Sequence, residues 1–433
     1  MDPTTVGLIG LVILIAVLFS RMPVGFGMAL VGFVGFSYLV SLEAALRLLA
    51  KDFFATFSSY SLTVVPLFIL MGQIAFHAGI SRRLYDSAYT FLGSFPGGLA
   101  MATIGACAGF AAICGSTNAA AATMATVALP EMKRYGYNME LATGTVAAGG
   151  SLGILIPPSV IFIIYGIMTE QSIGKLFAAG ILPGVLLSML FIFTIYARVR
   201  LKPTLGPPGP KTNLGEKARS LTGLLEMFLI FGLVMGGLFK GFFTPTEAGA
   251  AGAFITLMIA VGRREIRWDQ FLEAIKESVR ISCMIMVIVA GATVFGHFLA
   301  VTRIPYLTAD WVAGLPLPPW AVMGVIIFIY LLGGCFMDSL AMILLTIPIF
   351  FPIAVNLGYD PIWFGVIIVL ITEMGVITPP VGVNVYVVSG VAKDVPLEVI
   401  FKGILPLLGA LIVCAIVLII APNIALFLPS LMR

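Results

Sequence analysis

Two proline pairs inside apolar runs constrain this chain more than any other feature. Gly149-Gly-Ser-Leu-Gly-Ile-Leu-Ile-Pro-Pro158 interrupts a run long enough to cross a membrane, and Glu373-Met-Gly-Val-Ile-Thr-Pro-Pro380 repeats it. Gly375 stands 222 positions after Gly153, and Pro379 stands 222 after Pro157. Each pair removes two backbone donors and disfavours helix in the residue before it, so each predicts a helix broken at mid-membrane depth. Unwound backbone survives in a bilayer only where it lines a cavity or binds an ion. Broken helices in corresponding halves point to the binding centre of a secondary transporter.

Composition agrees with a polytopic membrane protein. Hydrophobic residues make up 60 % of the 433, charged residues 10 %, and the mean hydropathy is +1.11. A soluble domain carries about 25 % charge, which leaves no room for a large water-facing module. Met1-Asp2-Pro3 has no basic n-region, so a removable signal peptide is not expected. Cys107, Cys114, Cys283, Cys335 and Cys414 lack metal-ligand spacing and read as buried filler.

In chain order, 6–19 and 24–40 predict a hairpin of spans, and 42–54 an interfacial amphipathic helix. Residues 62–78 predict a further crossing. A re-entrant hairpin is expected at about 97–129, because small polar residues, Cys114-Gly-Ser-Thr-Asn118, sit at the middle of an apolar stretch. The first broken helix follows at about 139–167. Residues 201–221 read as a Pro/Gly linker between halves 1–200 and 222–410, with 411–433 as the end of the last helix and a tail. In the second half, 268–277 is again amphipathic, 281–301 crosses, about 316–352 forms a second hairpin and about 361–390 a second broken helix. Pro245, Pro352 and Asp338 match Pro23, Pro130 and Ser116 at the same offset, which marks an internal repeat. The expected fold is all-α with about 11 transmembrane helices.

With the N-terminus outside, 18 of the 24 lysines and arginines fall on the inner side, Arg21 and those flanking Lys211 among them, and Arg433 outside. The reverse orientation violates the positive-inside rule. The halves are then inverted repeats, the arrangement of an alternating-access carrier.

Gly150-Ser-Leu-Gly-Ile-Leu-Ile-Pro-Pro-Ser159, Tyr165-Gly166, Ser172-Ile-Gly-Lys-Leu-Phe-Ala-Ala-Gly180, Phe336-Met-Asp338 and Thr378-Pro-Pro-Val-Gly382 resemble the large membrane subunit of tripartite ATP-independent periplasmic (TRAP) transporters, over essentially the whole chain. The resemblance implies an elevator mechanism and a bacterial inner-membrane location, with a periplasmic N-terminus and a cytoplasmic linker. It implies three partners: a small four-helix membrane subunit, here on a separate chain, a periplasmic substrate-binding protein, and an acidic small-molecule substrate. It implies no cofactor, with sodium as coupling ion, no transition metal, no nucleic acid, and a lipid bilayer as surroundings.

Sodium prefers hard oxygen ligands, and broken helices supply carbonyls at negative half-helix ends. One expected nest combines Ser116, Thr117 and Asn118 with Gly153, Ile156 and Pro157; the other combines Gly334 with Gly375, Thr378 and Val381. These positions also match the family's sodium motifs. Half-helix N-termini favour an anion between the nests, with Ser116, Asn118, Asp338, Thr378 and Asn384 as its polar contacts. Glu373, an intramembrane carboxylate, reads as a helix brace ahead of a functional group, because its counterpart is Ser151. His77 and His297 read as packing residues, and Trp311, Trp320 and Trp363 as an interfacial belt. An intramembrane enzyme is disfavoured, since no Ser-His pair or metal-ligand helix is evident. A gated channel and a stand-alone sodium-carboxylate carrier remain alternatives.

Overall fold

The computed structural model describes residues 1–20, 22–209 and 212–432. Arg21, Lys211 and Arg433, used above for orientation, lie outside the described residues. Every regular element among the described residues is helical. The first half begins with α1 (Pro3–Phe19), α2 (Val24–Leu39) and the amphipathic α3 (Leu42–Phe57). Ser41 starts α3 by accepting the Ala44 N–H at 3.2 Å. Four serines and threonines from Ser58 to Thr63 then compete with the helix ladder; Ser58 Oγ donates to Phe54 O at 2.7 Å. A 3-10 turn carries the chain into α4 (Val64–His77), with a bend of 54°.

An amphipathic α5 (Ile80–Leu92) precedes the hairpin of α6 (Gly98–Cys114) and α7 (Thr117–Arg134). The first broken helix is α8 (Met139–Gly150), α9 (Leu152–Leu155) and α10 (Val160–Thr169), followed by α11 (Ile173–Leu201). Its pieces start where polar caps allow: Asn138 accepts from Glu140 N–H at 2.8 Å, and Ser159 from Phe162 N–H at 3.3 Å.

The second half runs α12 (Leu214–Phe239), α13 (Pro245–Gly262), α14 (Trp268–Thr302), α15 (Ile304–Ala313), α16 (Pro319–Gly334), α17 (Ser339–Asn356), α18 (Pro361–Val376), α19 (Val383–Val391), α20 (Leu397–Ile420) and α21 (Asn423–Ser430). Seven helices are long and apolar enough to cross a membrane, counting α8 to α10 together, or eight with the bent α3–α4 pair. The first arms of both hairpins, α6 and α16, are shorter, with 17 and 16 residues. At 1.5 Å per residue they reach about 25 Å, short of a hydrocarbon core of about 30 Å.

Several expected boundaries move. The linker is shorter than 201–221: α11 extends to Leu201, and a capping box between Asn213 and Glu216 starts α12 within the polar stretch. The expected break between 277 and 281 does not occur, because Ser278-Val-Arg280 contains no helix breaker and α14 runs unbroken for 35 residues. Both hairpins extend further than expected, to Arg134 and Asn356, and α5 and α15 fall where no element was expected. Trp363 does not face outward as a belt residue would: it is buried, and its Nε1 donates to Leu418 O at 2.9 Å.

The centre is α18, buried on every side from Ile362 to Val376, as a helix apolar all round must be. Around it, helices approach through small residues. A methyl on Gly25 of α2 would lie 2.8 Å from Val287 O of α14, closer than real carbon contacts. At one face an ion cluster joins α5, α12 and the end of α13. Arg83 meets Glu226 at 2.7 Å and Glu265 at 2.5 Å, and Arg263 contacts both acids.

Candidate functional site

Each half builds the same junction between a hairpin tip and a broken helix. In the first, α6 ends at Cys114, Gly115 turns the chain with φ +64°, and Ser116 caps α7, its Oγ accepting from Ala119 N–H at 3.4 Å. A side chain at Gly115 is excluded twice over, by its left-handed backbone and by Pro158 O, 2.5 Å from where a Cβ would lie. Gly153 faces the same tip, its Cβ position 2.5 Å from Ser116 O. In the second half, Gly375 packs on Gly334, the Cβ position 2.6 Å from the Gly334 backbone. Asp338 caps α17 there, accepting from Leu340 N–H at 2.8 Å. Ser116 and Asp338, matched in the sequence, are thus both N-caps of a second hairpin arm.

Unwound carbonyls adjoin each tip. Those of Ile156, Pro157 and Pro158, and those of Thr378, Pro379, Pro380 and Val381, accept no backbone hydrogen bond among the described residues. Thr378 Oγ1 donates to Met374 O at 2.5 Å, leaving its lone pairs free. The geometry therefore brings Ser116 and Thr117 beside Gly153, and Gly334 beside Gly375, with electronegative backbone next to each.

A cavity of about 490 Å³ lies between the tips. Ser116, Thr117, Asn118 and Asp338 line it, as do Glu273 and Glu277 from α14 and His77 from α4; no lysine or arginine does among the described residues. Asn118 is exposed. Thr378 and Asn384, expected at a solute, are not in this lining. Asn384 is fully buried, and its Nδ2 donates to Thr117 Oγ1 at 2.8 Å and to Ala147 O at 3.3 Å. The reason is its place as the second residue of α19, which packs against α7 and α8.

Glu373, read as a brace ahead of a functional carboxyl group, joins the two hairpins. Glu373 is 1 % exposed, and its two oxygens accept from Thr117 Oγ1 at 3.1 Å and Ser339 Oγ at 2.8 Å. The available signal was the spacing of those donors, again 222 positions.

Comparison with known proteins places this architecture. The family model "Tripartite ATP-independent periplasmic transporter, DctM component" matches residues 11–424. The chain is 40 % identical to the C4-dicarboxylate TRAP transporter large permease protein DctM of Pseudomonas aeruginosa, covering 89 % of this chain and 90 % of that protein. It is 33 % identical to the sialic acid TRAP transporter large permease protein SiaM of Vibrio cholerae, covering 96 % and 97 %. The isethionate TRAP transporter permease protein DctMQ of Oleidesulfovibrio alaskensis is 34 % identical over 98 % of this chain and 69 % of its own length. The crystal structure of the Alcanivorax borkumensis YdaH transporter shares the fold, with a TM-score of 0.60 at 14 % identity over 89 % of this chain and 88 % of that one. Sequence match and all-helical architecture together make the chain a member of the DctM family, the large membrane subunits of TRAP transporters.

Proposed function

We propose that this chain is the transmembrane permease of a sodium-coupled importer of an acidic organic solute. Relatives named for C4-dicarboxylate and sialic acid support that solute class. The observation that carries the coupling is the charge of the central cavity. Asp338, Glu273 and Glu277 line it with His77 and without a lysine or arginine among the described residues, while unbonded carbonyls flank both hairpin tips. An anion entering there needs positive charge, and sodium ions on the two carbonyl nests, with the N-termini of α7 and α17, supply it.

In this reading Ser116, Thr117, Asn118, Gly153, Ile156 and Pro157 form one nest, and Gly334, Gly375, Thr378 and Val381 the other. Ser116, Asn118 and Asp338 face the solute. The two halves act as inverted repeats; hairpins and broken helices move together against the other helices, the N-terminus lies in the periplasm and the 201–213 connection in the cytoplasm. A four-helix membrane subunit and a periplasmic binding protein complete the system.

The test is uptake in proteoliposomes containing this chain and the small subunit, with loaded binding protein outside. Uptake is expected only under an inward sodium gradient and only with all three components. Sodium-driven uptake by this chain alone would instead identify a stand-alone carrier, and flux that neither saturates nor counterflows would identify a channel.

A further inference from the structure

Glu373 holds equivalent points of both hairpins with one carboxylate. Its donors, Thr117 and Ser339, are the first residues of α7 and α17. Ser151, its counterpart in the first half, donates instead to Ala148 O at 2.6 Å and reaches neither tip. The bonds continue from Thr117 through Asn384 to α8, so the network touches both hairpins and both broken helices. Among the described residues no lysine, arginine or histidine forms an ion pair with Glu373. Its two oxygens instead each meet one hydroxyl, fixed at the start of a helix that flanks a nest. A buried network of this kind holds its members in one arrangement, because a half-satisfied one is costly.

We propose that Glu373 is a positioning residue that locks the two hairpin tips to each other, so that the two carbonyl nests fill as one cooperative unit. Gly153 and Gly375 press each nest directly against a tip, so ordering a nest orders its tip. The shared carboxylate then passes that order to the other tip, and the coupling is reciprocal. The cooperative part rests on the sodium reading above; the lock itself does not.

Hydrogen–deuterium exchange on the purified full chain tests both parts, following peptides that cover 114–121 and 334–341. In sodium-free choline chloride, Glu373→Ala is expected to raise exchange at both tips by about tenfold, as expected for losing one buried hydrogen bond at each. Thr117→Val and Ser339→Ala, milder changes, each loosen the opposite tip as well as their own. Glu373→Gln, which offers a carbonyl to one hydroxyl and an amide N–H to the other, restores both. Opposite tips unmoved by both hydroxyl variants would overturn the lock. In a sodium chloride titration the wild-type tips gain protection with one shared midpoint, and Glu373→Ala splits it into two. A midpoint still shared in Glu373→Ala would overturn the cooperative role. Wild-type tips that ignore sodium, in a chain whose variants loosen both tips, would retain the lock and remove the sodium reading.

Discussion

Gly153→Ala tests the first nest with one methyl group. The added carbon would lie 2.5 Å from Ser116 O and 2.9 Å from Thr117 Cα, where ordinary contact begins at 3.4 Å. Both neighbours are backbone, so no side chain can swing away, and tip and broken helix must part by about 0.9 Å (3.4 less 2.5). Forced overpacking of this kind costs about 1–3 kcal/mol. If the cost falls on the ion-loaded arrangement, half-saturating sodium rises between about 5-fold and about 150-fold. Displacements near 1 Å at a reacting centre cost about 100-fold, which puts the expectation toward the upper end. The assay is sodium-dependent uptake in proteoliposomes carrying the complete transporter, at saturating binding protein. Gly105→Ala on α6 is the control, since its Cβ would meet only Ala88 at an ordinary 3.9 Å. Unchanged sodium dependence in Gly153→Ala, or an equal shift in Gly105→Ala, would refute the reasoning.

The remaining predictions use other contacts. Gly375→Ala should shift sodium dependence as Gly153→Ala does, because its methyl would meet the Gly334 backbone at 2.6 Å; a normal sodium curve would separate the two nests. Thr378→Ala should raise half-saturating sodium while leaving expression intact, as one hard oxygen is lost and the neighbouring carbonyls remain; an unchanged curve would remove Thr378 from the nest. Ala218→Cys, exposed near the start of α12, should resist membrane-impermeant maleimide in intact cells and react after permeabilisation; labelling from outside would reverse the orientation. Glu226→Gln should destabilise the chain by about 1–3 kcal/mol, less than for a fully buried pair because Arg263 is 41 % exposed. A thermal midpoint equal to wild type would show the cluster to be energetically idle.

The Pro-Pro breaks were legible because proline and glycine act locally, whatever surrounds them. The hairpins were legible for a related reason: small polar residues amid an apolar run leave few alternatives in a bilayer. Helices α5 and α15 were not, since short amphipathic segments resemble connections when the surface they pack on is unknown. The continuity of α14 was hidden by its charges, which mark depth rather than a helix end. At the candidate site, the repeat singles out Gly153 and Gly375, whereas the bonding partners of Glu373 were hidden. Its counterpart is a serine, and its partners Thr117 and Ser339 lie 256 and 34 residues away. Symmetry identifies what two halves share, and a single residue that joins them has no second copy to betray it.

The length of α14 has an electrical consequence. Its 35 residues extend about 52 Å, and its charged residues, Asp269 to Arg280, occupy the first third. The central cavity follows this helix from Glu273 to Ile285, a descent of about 18 Å at 1.5 Å per residue. In the orientation proposed above, with the charged end of α14 at the headgroups, this makes a well that reaches roughly half-way through a hydrocarbon core of about 30 Å. Water entering such a well would conduct, so little voltage would fall along it and most of the membrane potential would drop across the protein beyond its floor. The hairpin tips form that floor. A charge held there can cross most of the field with a displacement much smaller than the bilayer, each elementary charge gaining up to about 2.3 kcal/mol per 100 mV.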